Sequence, residues 1–204
     1  MKETQAKSKG PRERLLLSAI TLMCERGVHA TGLSDLLAHS HTARQSIYQH
    51  FPGGKSELME QATYAAGRTI NTLLDELLAT HPPAAGIEAM IDYWQQVLTG
   101  SDYAMGCPIM AAAQAGPNEP AVQAASAATF ATWIDKIADA LTSADADPAV
   151  AKPVASMLVS AVEGAIAQSR GARSIQPLDD VRIAMTRLIE STVPPRPDQQ
   201  PRPA

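Results

Sequence analysis

The sequence predicts an all-α protein with an N-terminal unit of three helices and a longer C-terminal helical domain. Two features of the composition favour helices: alanine is abundant, and aromatic residues make up only 4% of the 204 residues. The third feature is segment 31–55, where two short apolar patterns are separated by a break at residues 40–42. A helix, a tight turn and a second helix form a helix-turn-helix motif, whose second helix enters the DNA major groove.

The second helix of this motif, predicted at 43–51, has one apolar and one polar side. Ile47 and Phe51 can pack on the first helix, while the opposite side shows arginine and glutamine. Both residue types make paired hydrogen bonds to guanine and adenine edges. The predicted base contacts are therefore Arg44, Gln45 and Gln49. Contacts to phosphates fix the register of a protein on DNA rather than read its sequence, and we predict them for Thr31, Thr42, Tyr48, His50 and Lys55.

The same segment resembles the DNA-binding domain of TetR-type repressors. The residues that match the family pattern are Thr31, Leu36, Leu37, Ser40, Ile47, Tyr48, His50, Phe51, Lys55 and Leu58. The turn at 51–55 and the later tripeptide Gly-Cys-Pro at 106–108 resemble the LmrA/YxaF branch of this family.

The sequence departs from the family pattern at two positions of the motif. His41 replaces the turn glycine, at a position that should have a positive φ, and the replacement should cost about 1 kcal/mol. Gln45 replaces a small residue near the start of the recognition helix. Its longer side chain either reads a base or holds the helix farther from the groove.

The distribution of charge agrees with a DNA-binding N-terminus, although the net charge is −4. Residues 1–60 contain eight Lys/Arg and six Asp/Glu, which gives +2, whereas residues 61–204 contain nine and fifteen, which gives −6. Positive charge that is concentrated at one end of a chain is expected where it contacts nucleic acid.

Several other classes of protein are not favoured by the composition. No stretch approaches the ~20 apolar residues of a membrane span, and the polar, basic N-terminus does not resemble a signal peptide. We therefore expect a cytoplasmic protein. Cys24 and Cys107 are expected to be buried thiols, with a redox or disulfide role as the alternative. The pair His39 and His41 lacks further ligands, so no metal site is predicted, and no cofactor is predicted.

Apolar periodicity, prolines and glycines divide the chain into nine predicted helices, with Thr31 and Thr42 as N-caps of the motif's two helices. They lie at about 11–27, 31–39, 43–51, 55–80, 86–99, 107–115, 121–142, 149–170 and 177–192. We predict a flexible basic arm at 1–10, a DNA-binding domain at 11–54, a ligand-binding and dimerisation domain at 55–192 and a disordered tail at 193–204. The arm either stays disordered or touches the DNA backbone or minor groove.

Most aromatic residues and several methionines follow residue 60, where they either form an ordinary core or line an apolar cavity. The resemblance favours a cavity that binds a ligand. The predicted lining residues are Tyr64, Met90, Tyr93, Trp94, Cys107, Met110, Phe130, Trp133, Met157 and Glu163. Glu163 lies in an otherwise apolar helix, so it either anchors a polar group of the ligand or faces solvent.

The resemblance also implies a homodimer in which the last two helices pair with their copies, and packing within one chain is the alternative. The predicted interface residues are Leu158, Val162, Ile166, Val181, Met185 and Leu188. The implied function is a repressor that binds a palindromic DNA operator and is released by a small apolar or aromatic ligand. The alternatives are an activator with the same fold, or an enzyme that uses Cys107 as its nucleophile.

Overall fold

Nine α-helices and no β-strand form residues 10–193, the part of the chain that the computed structural model describes. The helices are α1 Pro11–Arg26, α2 Leu33–Ser40, α3 Arg44–His50, α4 Gly54–Thr80, α5 Pro83–Gly100, α6 Pro108–Ala113, α7 Pro120–Ser143, α8 Pro148–Ala172 and α9 Gln176–Thr192. The predicted all-α class is confirmed. The predicted basic arm and C-terminal tail fall mainly on residues 1–9 and 194–204, which lie outside the described residues.

Many of these helices begin with proline, and one of them, α5, begins earlier than predicted. Within residues 10–193, six helices carry proline in their first two positions: α1, α5, α6, α7, α8 and α9. Proline is favoured there because its fixed φ suits a helix and its missing N–H would have no intrahelical acceptor. The sequence predicted that α5 begins at Gly86, but the helix begins at Pro83. Pro83 therefore starts α5.

Two compact units make up the structure. The first contains the chain up to Ile70 together with Ala104–Phe130, and the second contains Asn71–Tyr103 together with the chain from Ala131 onward. The first unit therefore combines the helix-turn-helix segment with α6 and part of α7. The compact units differ from the predicted domains, which meet between residues 54 and 55. The predicted domains divide the chain by function, and that division stays a prediction.

The core of the first unit is formed where α1 packs against α2, α3 and α6. Its most deeply buried side chains are Leu15, Ala19, Met23, Leu36, Ile47, Phe51, Leu58, Met59, Ala62, Ala112 and Val122, all with no exposed surface. Two backbone contacts tie the later segment to the earlier one. The Gly106 amide donates to the Cys24 carbonyl at 3.0 Å, and the Gly116 amide donates to Nε2 of His29 at 2.7 Å.

In the second unit, α9 packs against α5 and α8. Leu98 and Leu178 have no exposed surface, and Ile189 is 2% exposed. Polar contacts border this core: the Gln95 amide donates to the Asp179 carboxylate at 2.7 Å, and the Thr186 hydroxyl donates to Glu88 at 2.8 Å. These contacts fix the rotation of α9 about its own axis and thereby determine which residues of α9 remain exposed.

Helix α8 is more apolar than the sequence analysis recognised. By length and composition alone it could cross a membrane, contrary to the expectation that no stretch approaches a span. Only 44% of its most apolar 18-residue window is buried. A carboxylate, Glu163, lies buried within the helix at 4% exposure, which disfavours a lipid-spanning segment. Part of the apolar surface of α8 is therefore left uncovered within the single chain.

Candidate nucleic-acid interface

Helices α2 and α3 form the predicted helix-turn-helix. Leu36 of α2, Ile47 of α3 and Phe51 directly after α3 belong to one core cluster, and none of them has exposed surface. The turn between them begins at His41, whose φ of 50° and ψ of 45° lie in the left-handed region. The Thr42 amide closes this turn by donating to the Leu37 carbonyl at 3.3 Å. The predicted positive φ at His41 is confirmed.

The structure corrects the predicted role of Thr31. The N-cap of α2 is Gly32, whose amide donates to the Asp35 carboxylate at 3.0 Å. The Thr31 side chain has no exposed surface, and its hydroxyl donates to the Gly27 carbonyl at 2.7 Å. Thr31 therefore neither caps α2 nor presents its hydroxyl to a phosphate, because the side chain is buried beneath the start of the helix.

The predicted cap of α3 is also wrong. The N-cap of α3 is Ala43, and no side chain makes a capping hydrogen bond there. The Thr42 hydroxyl instead shares a hydrogen bond of 2.8 Å with the hydroxyl of Ser40. Thr42 remains half-buried at the edge of the motif, so its phosphate contact stays a prediction.

The outer side of α3 carries the three predicted base-contacting residues. Arg44, Gln45 and Gln49 are exposed, and the ring of Tyr48 is 50% exposed beside them. His50 is half-buried at the end of the helix. Because Ile47 on the opposite side is fully buried, the rotation of α3 is fixed and its arginine and glutamine side chains face solvent.

The turn after α3 lies beside the ring of Tyr48 and leads into α4. Gly54 has a φ of +71°, and a Cβ atom at this position would lie 3.5 Å from Cε1 of Tyr48. The Gly53 amide donates to the Glu57 carboxylate at 2.7 Å, which satisfies the first turn of α4. The Lys55 ammonium donates to the Val28 carbonyl at 3.1 Å. Since an ammonium group has three N–H donors, this bond leaves donors for a phosphate.

Sequence reasoning missed two arginines that support the motif. Arg14 donates from Nε to the Ser40 carbonyl at 3.0 Å and from Nη2 to the His41 carbonyl at 3.4 Å. The guanidinium of Arg12 lies 5.4 Å from the ring centre of Phe51 and also donates to Gln61. In the sequence, both arginines are counted only as basic residues of the N-terminus, because their partners lie 26 to 49 residues later.

The ten residues predicted to line a ligand pocket are divided between the two units. Tyr64, Cys107, Met110 and Phe130 belong to the first unit, and the other six belong to the second. In the second unit, Met90, Trp94, Trp133 and Glu163 are between 4% and 8% exposed. Met157 is 46% exposed and Tyr64 is 41% exposed, because both lie on outer helix faces rather than in a core.

One hydrogen bond and one ring contact involve the aromatic residues of the second unit. The indole N–H of Trp133 donates to the Asn71 side chain at 2.6 Å, and the rings of Tyr93 and Trp94 meet edge to face with centres 5.3 Å apart. At 4% exposure, Glu163 does not face solvent, so that alternative for its role is wrong.

Three of the six residues predicted for a dimer interface are buried within the single chain. Leu158 is 1% exposed, Ile166 is 2% exposed and Met185 is 9% exposed, so they form the core of the second unit. Val162, Val181 and Leu188 are half-buried. Leu158, Ile166 and Met185 are therefore not available for contact with a second chain, whereas the assignment of Val162, Val181 and Leu188 stays a prediction.

The cysteines and histidines give no specific support to an enzyme. Cys24 and Cys107 are both buried at 4% exposure and do not form a disulfide. A substrate would therefore have little access to the thiol of Cys107. Within residues 10–193, no group of three or more His, Cys, Asp and Glu side chains could hold a metal ion. His39 instead contacts the hydroxyl of Ser18 through Nδ1 at 2.9 Å.

Two family models match the chain. Residues 15–62 match the bacterial regulatory proteins of the tetR family, and residues 83–183 match the C-terminal domain of LmrA/YxaF-like transcriptional regulators. An uncharacterised HTH-type transcriptional regulator of Mycobacterium tuberculosis is 36% identical over 196 residues, which cover 92% of this chain and 98% of that protein. The HTH-type transcriptional regulator LmrA of Bacillus subtilis is 28% identical over 182 residues, which cover 88% of this chain and 96% of that protein.

Solved structures agree on the fold. A TetR transcriptional regulator from Legionella pneumophila has a TM-score of 0.80 at 21% identity, covering 89% of this chain and 98% of that one. The regulatory protein TetR from Rhodobacter sphaeroides has a TM-score of 0.77 at 20% identity, covering 86% and 96%. These similarities are to DNA-binding regulators rather than enzymes. The chain belongs to the TetR family of bacterial transcriptional regulators and carries an LmrA/YxaF-like C-terminal domain.

Proposed function

We propose that this regulator is a cytoplasmic repressor, which binds a palindromic operator as a homodimer and is released by a small apolar or aromatic ligand. The observation that carries the DNA-binding part is the outer face of α3, where Arg44, Gln45 and Gln49 are exposed above a fully buried Ile47. Side chains held in this way can reach base edges in the major groove without any rearrangement of the helix.

The three base-contacting residues lead to a prediction about sequence preference. Replacing Arg44 with alanine should cost about 1–3 kcal/mol against the preferred operator and relax the preference at one base pair of each half-site. The loss is selective because a bidentate arginine contact distinguishes guanine from other bases. Binding to operators with every single-base substitution, measured for both proteins, tests the assignment. A loss of equal size on all sequences would remove Arg44 from the base-reading set.

The phosphate contacts should behave differently. We propose Thr42, Tyr48, His50 and Lys55 for this role and leave out Thr31, because its hydroxyl is buried and bonded to Gly27. Such contacts hold the protein in register on any sequence.

Replacing Tyr48 with phenylalanine or Lys55 with alanine should weaken binding to all sequences alike. The alanine variant should also lower the slope of log affinity against log salt by about 0.9, since one phosphate contact is lost. Thermal melts are needed in parallel, because Lys55 also donates to the Val28 carbonyl. Tyr48→Phe removes only a hydroxyl and is the cleaner variant. A slope unchanged in Lys55→Ala would contradict its contact with a phosphate.

The outer stripe of α8 supports a homodimer. We define this stripe as the residues that lie on one helix face and are exposed or half-buried: Val150, Pro153, Met157, Ala161, Gly164, Gln168 and Gly171. Met157 is 46% exposed, and a Cβ atom at Gly164 would meet nothing within 4 Å. On α9, Ile183 is 54% exposed. Small residues beside exposed apolar ones allow two helices to approach closely, so we place the interface on this surface.

The effector site is proposed within the second unit. Buried Met90, Trp94 and Trp133 supply adaptable apolar and aromatic surface, and buried Glu163 can anchor a polar group of the ligand. Release of DNA requires that the ligand binds the state without operator affinity more tightly than the bound state. Trp94 and Trp133 are the two tryptophans of the chain, so quenching of intrinsic fluorescence by candidate aromatic compounds reports binding in this unit.

Selection of bound sequences from random duplex DNA, with a salt titration of the selected duplex, tests the proposed function as a whole. A palindrome whose half-sites lie about one helical turn apart is expected for a dimeric reader. A single, non-repeated site would contradict the homodimer, and no enrichment would contradict operator binding by the ligand-free protein. Transcription by purified polymerase on a template with the selected operator then separates a repressor from an activator.

A further inference from the structure

The end of α2 is held by an arginine from another helix. Arg14 in α1 donates to the carbonyl of Ser40, the last residue of α2, at 3.0 Å and to the carbonyl of His41 at 3.4 Å. The last carbonyls of a helix have no intrahelical donor, and they carry partial negative charge that a cation stabilises. A single guanidinium therefore satisfies two acceptors at the point where the chain turns from α2 toward α3.

The same turn contains an unfavourable backbone conformation. His41 has a φ of 50° and a ψ of 45°, a region that glycine adopts readily and that a side chain with a Cβ atom disfavours. The turn is also closed by hydrogen bonds from the His41 and Thr42 amides to the Leu37 carbonyl, the latter at 3.3 Å, and by one of 2.8 Å between the Ser40 and Thr42 hydroxyls. Its conformation determines the direction in which α3 leaves, and therefore how Arg44 and Gln45 are presented.

We propose that Arg14 is a positioning residue for DNA recognition, which holds the α2–α3 turn in the left-handed conformation that His41 disfavours. This inference rests on the proposed reading of DNA by α3. Affinity falls in proportion to the fraction of molecules whose recognition helix is correctly placed. Arg14 keeps that fraction high, and a glycine at position 41 would make the same contribution by removing the steric cost.

The acceptors of Arg14 are backbone carbonyls, so a change of the His41 side chain leaves both of them in place. This allows the two contributions to be separated by a double-mutant cycle of Arg14→Ala, His41→Gly and the double variant. The readout is affinity for the selected duplex over a range of salt concentrations. Helix content measured by circular dichroism establishes that each variant is folded.

We expect Arg14→Ala to weaken DNA binding about five- to tenfold, in line with the loss of a charged hydrogen-bond donor. In the His41→Gly background the same change should weaken binding less than about twofold, because glycine already favours the turn. The slope of log affinity against log salt should not change, since the proposed role includes no phosphate. A slope lowered by about 0.9 would instead identify a direct phosphate contact and overturn the proposal.

Arg12→Ala provides a matched control. Arg12 lies on the same helix and carries the same charge, but it contacts Phe51 and Gln61 rather than the α2–α3 turn. Its effect on DNA binding should be the same with His or Gly at position 41. Equal losses for Arg14→Ala in the two backgrounds, or no loss in either, would also overturn the proposal.

A measurement without DNA distinguishes failure of this inference from failure of the proposed function. Hydrogen exchange of the Thr42 amide reports opening of the turn, because this amide donates to Leu37. Exchange should be faster in Arg14→Ala and slower again in the double variant. If the wild-type protein binds no duplex but this pattern holds, DNA reading is wrong and the role of Arg14 in the turn stands. Unchanged exchange in Arg14→Ala would refute that role.

Discussion

Replacing Gly164 with arginine should convert the proposed dimer into a monomer and lower its affinity for a palindromic operator by roughly 100- to 10,000-fold. Gly164 lies in the outer stripe of α8, where two copies of the helix are proposed to meet. A large charged side chain there would separate the two helices and would be buried without a partner. The two recognition helices would then bind as independent units and lose the gain in effective concentration that a dimer provides.

The substitution is suited to this test because the single chain can accept it. A Cβ atom at Gly164 would meet nothing within 4 Å, and arginine has a higher intrinsic helix propensity than glycine. Folding of the chain itself should therefore be unharmed. Sedimentation or light scattering gives the mass, which should fall to the 21.6 kDa of one chain.

Gly100→Arg is the matched control for this prediction. Gly100 is the last residue of α5, and a Cβ atom there also meets nothing within 4 Å. It makes the same change of charge and size outside α8 and α9, so the dimer should persist. If Gly164→Arg remains dimeric with unchanged operator affinity, the outer stripe of α8 is not the interface.

The proposed interface on α8 could not be located from the sequence alone. Leu158, Val162 and Ile166 form an apolar pattern at helical spacing, which identifies a face that packs but not what it packs against. The outer stripe is also apolar, with Met157 and Ala161 among small residues. Since both faces of α8 are poor in charge, periodicity alone could not separate the core face from the outer one. The separation requires the packing of α8 against α5 and α9.

The helix-turn-helix was more predictable because its signals are local. The four-residue spacing of Ile47 and Phe51 identified the buried side of α3. The expected positive φ came from the family pattern, which has glycine where this chain has His41. The hydrogen bonds of Arg14 and Lys55 could not be predicted from the sequence, because their acceptors, the carbonyls of Ser40 and Val28, lie 26 and 27 residues away in the chain.

The errors at the two threonines have a similar cause. Thr31 and Thr42 each precede a helix, and threonine is a common N-cap, but the helices begin one residue later than those caps require. The side chain of Thr31 is buried in the first unit, and the hydroxyl of Thr42 forms a hydrogen bond with that of Ser40. Local hydrogen bonds therefore occupy both hydroxyl groups: that of Thr31 donates to the Gly27 carbonyl, and that of Thr42 pairs with the Ser40 hydroxyl.

Replacing Phe51 with alanine should give the largest loss of stability among single substitutions in the motif, about 3–5 kcal/mol. Its ring has no exposed surface and lies in the core cluster with Leu36 and Ile47. Its backbone also links the end of α3 to the start of α4, since its amide donates to the Ile47 carbonyl at 2.7 Å and its carbonyl accepts from Gly54 at 2.8 Å. Loss of the ring leaves a cavity beneath α3 and should abolish operator binding.

Chemical denaturation followed by circular dichroism measures the loss of stability in Phe51→Ala, and tryptophan fluorescence shows which unit unfolds. Both tryptophans belong to the second unit, so unfolding confined to the first unit would change helix content before it changes fluorescence.

Phe51→Leu keeps most of the buried volume and should cost markedly less. Arg12→Ala removes the contact of the guanidinium with the ring, which is worth about 0.5–1 kcal/mol at an exposed site, together with the hydrogen bond to Gln61. If Phe51→Ala costs under about 1 kcal/mol, packing of this ring does not fix α3, and the rigid presentation of Arg44 and Gln45 must come from buried Ile47 and the α2–α3 turn.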